Sequence, residues 1–138
     1  MTFAVCKIVY ATFRMNAVLL AGVTLIFLDF IWLNLNMDYH KKLFNAVQGS
    51  PLHIRIFPAL LVYILIPFAV VFFAVNRASS LKDATIKGAI LGFSMYGLYE
   101  LTNLSTLNGW TYEMVVRDMF WGTAVCAAAA GVSYKFQD

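Results

Sequence analysis

The chain is expected to fold as an all-α polytopic membrane protein, a single domain over residues 1–138 built as a four-transmembrane-helix bundle. Two observations point there. First, 62% of its residues are hydrophobic and only 12% are charged, whereas a soluble domain has about 45–50% apolar and ~25% charged residues. That leaves too little polar surface to cover a water-soluble globule, and lipid is the natural solvent. Second, the apolar residues gather into four runs, at about 16–36, 56–75, 85–105 and 115–133. Each is near the ~20 residues that a helix needs to cross a hydrocarbon core. Backbone groups cannot face lipid unpaired, so the runs must be helical, and the alternating pattern of a membrane barrel is absent.

Taken in order, residues 1–15 place Lys7 and Arg14 among apolar side chains and read as an interfacial N-terminal extension. The run that follows has no small-residue cleavage site, which favours an uncleaved anchor over a removed signal. Cys6 is a candidate for lipidation, and Cys126, inside an apolar run, is a packing residue. The first span is followed by a polar segment, Met37–Arg55, expected to be a loop that contains His40 and His53. Pro58 and Pro67 in the second span predict a kink. A short polar segment, Asn76–Ala84, leads to the third span. Between the third and fourth, Asn108-Gly109 marks a turn.

The net charge is +3, but the basic residues are scattered singly or in pairs. They lack the clustered face that nucleic acid requires and serve better as topology signals. Lys7, Arg14, Arg77, Lys82, Lys87 and Lys135 fall on one side of a four-span arrangement, and Lys41, Lys42, Arg55 and Arg117 on the other. The positive-inside rule then places both termini in the cytoplasm.

Three acids lie within or near the spans, where a charge costs about 2.5–3.5 kcal/mol on insertion scales. At ~1.5 Å per residue, Asp29 lies about 20 Å along the first helix and Glu100 about 22 Å along the third. Asp118 lies only about 5 Å into the fourth, which runs the opposite way. All three depths fall in the same third of the bilayer, next to the first and third loops, whichever way the protein is inserted. Asn36, Thr102, Asn103 and Arg117 lie near that level. Helical spacing aligns Gly88, Gly92, Tyr96, Glu100 and Asn103 on one face, and Val18, Gly22, Leu25, Asp29, Trp32 and Asn36 on another. Asp118, Gly122, Val125, Ala129 and Val132 form a third face. Small residues on such faces let helices approach closely. A shared interior cluster is therefore expected from Asp29, Glu100, Asn103, Asp118, Tyr96, Tyr99, Trp32, Trp121, Arg117 and Thr102. Within it Asp29 and Asp118 have Arg117, Arg55, Tyr or Asn groups as candidate partners, and Trp32, Trp110 and Trp121 fall where an aromatic belt would sit.

Three passages carry a family resemblance. They are Asp29-Phe30-Ile31-Trp32-Leu33, the stretch from Tyr96 to Leu107 with Trp110, and Arg117-Asp118-Met119-Phe120-Trp121-Gly122. Together they resemble the integral membrane proteins of domain of unknown function 2177, found in bacteria and large DNA viruses. The likeness runs from about Leu25 to Tyr134 and implies four helices, with no established activity. Its members usually carry Asp where Glu100 stands.

No nucleophile elbow, phosphate loop or zinc motif is present, so no catalytic residue, metal or cofactor is assigned. A structural or assembly role in the membrane, with the lipid bilayer, copies of itself or other membrane proteins as partners, accounts best for the small size. The alternative is a proton- or cation-linked carrier that works as an oligomer through the buried carboxylates. A membrane enzyme acting on lipid headgroups ranks third.

Overall fold

The computed structural model describes residues 15–137 and confirms an all-helical bundle. Helix α1 spans Met15–Gln48, α2 spans Ile56–Ala69 and continues as a π-helical segment over Val70–Val75, α3 spans Leu81–Thr106, and α4 spans Tyr112–Phe136. The helix containing α1, α2 with its π segment, and α4 are each long and apolar enough to cross a membrane on their own. Helix α3 has the length but carries polar residues at both ends, and it completes the bundle by packing along α4. The N-terminal extension and Cys6 lie outside the described residues.

Neighbouring helices run antiparallel. The Ser133 hydroxyl donates to the Ala17 carbonyl at 2.7 Å near one end of the α1–α4 pair, and the Tyr39 and Thr111 hydroxyls meet at 2.8 Å near the other. The bundle thus has an end that holds Met15 and Phe136 and an opposite end that holds the first and third connections.

Helix α1 corrects the expected loop at Met37–Arg55. At ~1.5 Å per residue its 34 residues reach about 50 Å, well beyond a ~30 Å hydrocarbon core. Nothing between Met37 and Gln48 breaks a helix, and Tyr39, His40, Leu43, Phe44 and Val47 recur at helical spacing. The helix stops where Gly49 adopts φ +70 and its N–H bonds the Asn45 carbonyl at 2.9 Å, a left-handed termination that glycine makes without strain. The projecting turns carry a second apolar cluster, in which Leu43, Phe44 and Val47 pack on Trp110, Met114 and Val115.

The α3–α4 interface is the tightest in the bundle. Gly88 faces the Cys126 backbone and Ala130, and Gly92 faces the Gly122 backbone and Cys126. The glycine stripe therefore serves internal packing, as expected. Cys126 is a free thiol buried in this seam. On α1 the buried face is Ala17, Ala21, Leu25 and Asp29, with Gly22 lying on Pro67 of α2. Helix α3 opens on Ser80, whose side chain accepts from the Asp83 N–H at 3.1 Å. Asp83 in turn accepts from the Ser79 N–H and from Lys87, and the hydrogen bond to Lys87 holds its carboxyl below the ordinary range.

In the second span, where the prolines predict a kink, the helix changes type after Pro67. Pro67 has no N–H to donate within the helix, and the turns after it widen, with the Asn76 N–H bonding the Val71 carbonyl at 2.9 Å across five residues. This divides the helix by function. Val70, Val71, Ala74 and Val75 are buried against α3 and α4, whereas Ile56–Ala69 packs on α1 and makes no substantial contact with α3. Phe57, Leu60, Ile64 and Leu65 face outward. A groove lies between Val62 and Ile66 of α2 and Met95, Tyr96 and Tyr99 of α3, with Asp118 in its wall.

Candidate functional site

The site is built on the α3–α4 seam, toward the connection-bearing end. Glu100 follows Gly92 and Tyr96 on the packed face of α3 and has no exposed surface. Trp110, carried back over the bundle by the turn at Asn108-Gly109, donates its indole N–H to Glu100 Oε2 at 2.8 Å. Gly109 has φ +87, a backbone angle that suits glycine and directs the chain back so that Trp110 points inward. The Glu100 carboxyl also interacts with that of Asp118 across the seam.

Asp29 sits on the buried face of α1. Its Oδ1 accepts the Trp121 indole N–H at 2.8 Å, and the Tyr63 hydroxyl approaches as a second donor. Three helices, α1, α2 and α4, thus meet at one carboxylate. Asp29 and His40 are both close enough to Asp118 to interact electrostatically. The Trp32 and Trp121 rings stack 4.7 Å apart at an interplanar angle of 5°. A cavity of about 210 Å³ lies among these groups, walled by Asp29, Trp32, His40, Tyr63, Tyr96 and Asp118. It shares Tyr96, Tyr99 and Asp118 with a larger groove of about 400 Å³, whose other walls are Val62, Ile66 and Met95. Among the described residues, three buried side-chain polar atoms have no hydrogen-bond partner: Trp32 Nε1, His40 Nδ1 and Glu100 Oε1. Trp32 and His40 both line the cavity.

The expected cluster is brought together in part. Asp29, Glu100, Asp118, Tyr96, Tyr99, Trp32 and Trp121 surround the cavity or the seam beside it, and Asn103 lies next to Tyr99. Two residues stand outside. Arg117 pairs with Glu113 at 2.6 Å, bonds Asn36 at 3.3 Å and lies over the Tyr39 ring, so it does not neutralise the acids. Position 117 lies one residue from 118, about 100° around the helix, which turns the guanidinium outward. Thr102 is exposed, and its hydroxyl bonds the Leu98 carbonyl. The tryptophans also differ from a lipid-facing belt: all three turn inward, and two of them donate to carboxylates.

Sequence reasoning missed Tyr63 and the inward role of His40. His40 is 7% exposed on α1, not in a loop, whereas His53 is exposed as an interfacial residue would be. The signal for His40 was present, since it falls eleven residues after Asp29, three turns of one helix. Tyr63 sits in an apolar run, and only the path of α2 along α1 brings it to Asp29. Among the described residues, no three His, Cys, Asp or Glu side chains group as metal ligands.

No curated protein and no solved structure matches the chain. A sequence profile, that of the family described as "predicted membrane protein (DUF2177)", matches residues 8–135. That span includes the α3 motif around Glu100, the Asp29 and Asp118 passages and the first fourteen residues' latter half, and the chain belongs to this membrane-protein family.

Proposed function

We propose that the protein binds a proton or a cation within the bilayer at the Glu100–Asp118 carboxyl pair, and acts as a carrier when assembled as an oligomer. One observation carries the reading: a fully buried glutamate beside a second carboxyl, with Arg117 paired to Glu113 instead of to either. Two carboxylates side by side in a low-dielectric setting repel unless a proton or cation lies between them. Charged residues in spans commonly mark ion pathways or proton relays. Four helices leave the cavity open on one side, which is why transport calls for a second copy.

A structural role, the first choice on sequence grounds, is favoured at one residue. Asp29 ties α1 to Trp121 and faces Tyr63, and side-chain hydrogen bonds between membrane helices contribute about 0.6–2 kcal/mol. The substitutions that separate the two roles are Glu100→Gln, Asp118→Asn and Asp29→Asn. The amides keep the shape and one acceptor oxygen, so all three variants should unfold in detergent within a few degrees of the parent. In liposomes, Glu100→Gln and Asp118→Asn should abolish acid-dependent proton flux, and Asp29→Asn should retain most of it. Stable variants at positions 100 and 118 with full flux would end the carrier reading and leave the structural one.

From the distribution of basic residues we also propose that both termini lie in the cytoplasm. Cysteines introduced at Ser79 and Asn108 should then react with impermeant reagents from opposite sides, position 79 from the cytoplasm. Labelling of position 79 from outside alone would invert the orientation.

A further inference from the structure

The cavity and the groove share Tyr96, Tyr99 and Asp118 as walls, and their chemistries differ. The groove is walled by Val62, Ile66 and Met95 and faces the gap between α2 and α3, where the flanking α2 side chains are exposed. Its one acidic wall is Asp118, which also lines the smaller cavity with Asp29 and His40. An apolar passage that ends at carboxylates complements an apolar body with a positive head. The groove alone is within the ~300–1,000 Å³ range of small-molecule sites.

The nature of the head follows from the groups that would meet it. Asp118 and Asp29 supply negative charge, and Arg117 lies outside, paired with Glu113. Trp32 and Trp121, stacked against each other, and Tyr96 border the same space, and aromatic faces attract cations at close range. His40 is more than nine-tenths buried, lines the cavity, and has an unpartnered Nδ1. In the tautomer protonated at Nε2 that atom is an acceptor, and buried acceptors without donors are costly. A head bearing several N–H donors would satisfy both the carboxylate and the imidazole at once.

We propose that the site binds a protonated primary amine on an apolar body, which reaches it sideways from the bilayer between α2 and α3. The inference rests on reading the carboxyl cluster as a cation-binding centre and names the class of cation. A lipophilic free amine and the ammonium of an aminolipid headgroup share this chemistry.

The test uses the full chain in phosphatidylcholine nanodiscs, with tryptophan fluorescence, to which Trp32 and Trp121 at the cavity contribute beside Trp110, as readout. Dodecylammonium should give a saturable change, with an apparent affinity at least tenfold above that of dodecanol. Dodecyltrimethylammonium, which has the charge but no N–H, should bind at least fivefold more weakly than the primary amine. Asp118→Asn should lower the affinity for dodecylammonium at least tenfold. Val62→Trp, at an exposed position that lines the groove, should do so with the carboxylates intact. Equal binding of amine and alcohol overturns the proposal, and equal binding of the primary and quaternary amines overturns the assignment of the head. Repeating the titration with phosphatidylethanolamine in the nanodisc identifies the source: competition assigns the site to the aminolipid, and unchanged affinity assigns it to free lipophilic amines, both supporting the ammonium class. Amine binding without acid-dependent proton flux overturns the carrier reading alone. Proton flux that depends on Glu100 and Asp118 without a preference for amine overturns this inference alone.

Discussion

Alanine at Gly92 should destabilise the bundle by about 1–3 kcal/mol or more, the range for over-packing a filled interior. The added methyl group would meet the Gly122 carbonyl oxygen and the Cys126 Cβ, the latter at 2.7 Å. The oxygen belongs to a helix backbone, so no side-chain rotation relieves the clash, and α4 would have to retreat as a body. That retreat would also separate Tyr96 from Gly122 and loosen the carboxyl pair one turn further along. Gly22→Ala is the matched control. A methyl group there would lie 3.6 Å from the Pro67 ring, an ordinary contact, and alanine favours a helix over glycine. Unfolding in detergent should show a large drop for Gly92→Ala and little or none for Gly22→Ala. Similar melting temperatures for the two would mean that the α3–α4 seam is looser than described.

Trp110→Ala is expected to be the most damaging change outside the glycine seam, at about 3–5 kcal/mol for removing a buried indole. The side chain is 7% exposed, packs edge-on against Phe44 and Tyr99, and donates to Glu100. It therefore joins the third connection, the projecting turns of α1 and the buried acid. Trp110→Phe separates the two contributions. It keeps most of the packing and removes the N–H, leaving Glu100 Oε2 without that donor at a penalty of about 1–3 kcal/mol. Combined with Glu100→Met, which removes the acceptor, the Trp110→Phe penalty should shrink by the pair's coupling, about 0.5–3 kcal/mol for residues in contact. Strict additivity in this double-mutant cycle would mean that the hydrogen bond contributes nothing to stability.

Which features were legible in the sequence follows from their range along the chain. Hydropathy and helical period are local, so the helices around 56–75, 85–105 and 115–133 needed only composition and a rise per residue. The same arithmetic put Asp29, Glu100 and Asp118 at one depth, since depth depends on position along a helix and not on its rotation. The turn at Asn108-Gly109 and the packing role of Gly88 and Gly92 were legible for the same reason. Polarity over Met37–Arg55 points to a loop, whereas α1 runs on through that segment to Gln48. Polar composition marks the end of the hydrocarbon core, whereas a helix ends only at a breaker, here Gly49.

By itself, then, the sequence determined that the protein lives in lipid as a helical bundle, with its acids on one level near the connection-bearing end. The tertiary structure decided how those acids are used: Asp29 bound to Trp121, Glu100 bound to Trp110 and opposed to Asp118, and Arg117 turned away from all three. It also decided that α2 passes into a π-helical segment after Pro67, which packs on α3 and α4 while Ile56–Ala69 packs on α1. These outcomes depend on how each helix is rotated about its axis and where it diverges from its neighbour, and those are set by contacts between residues up to about a hundred positions apart, such as Asp29 with Trp121.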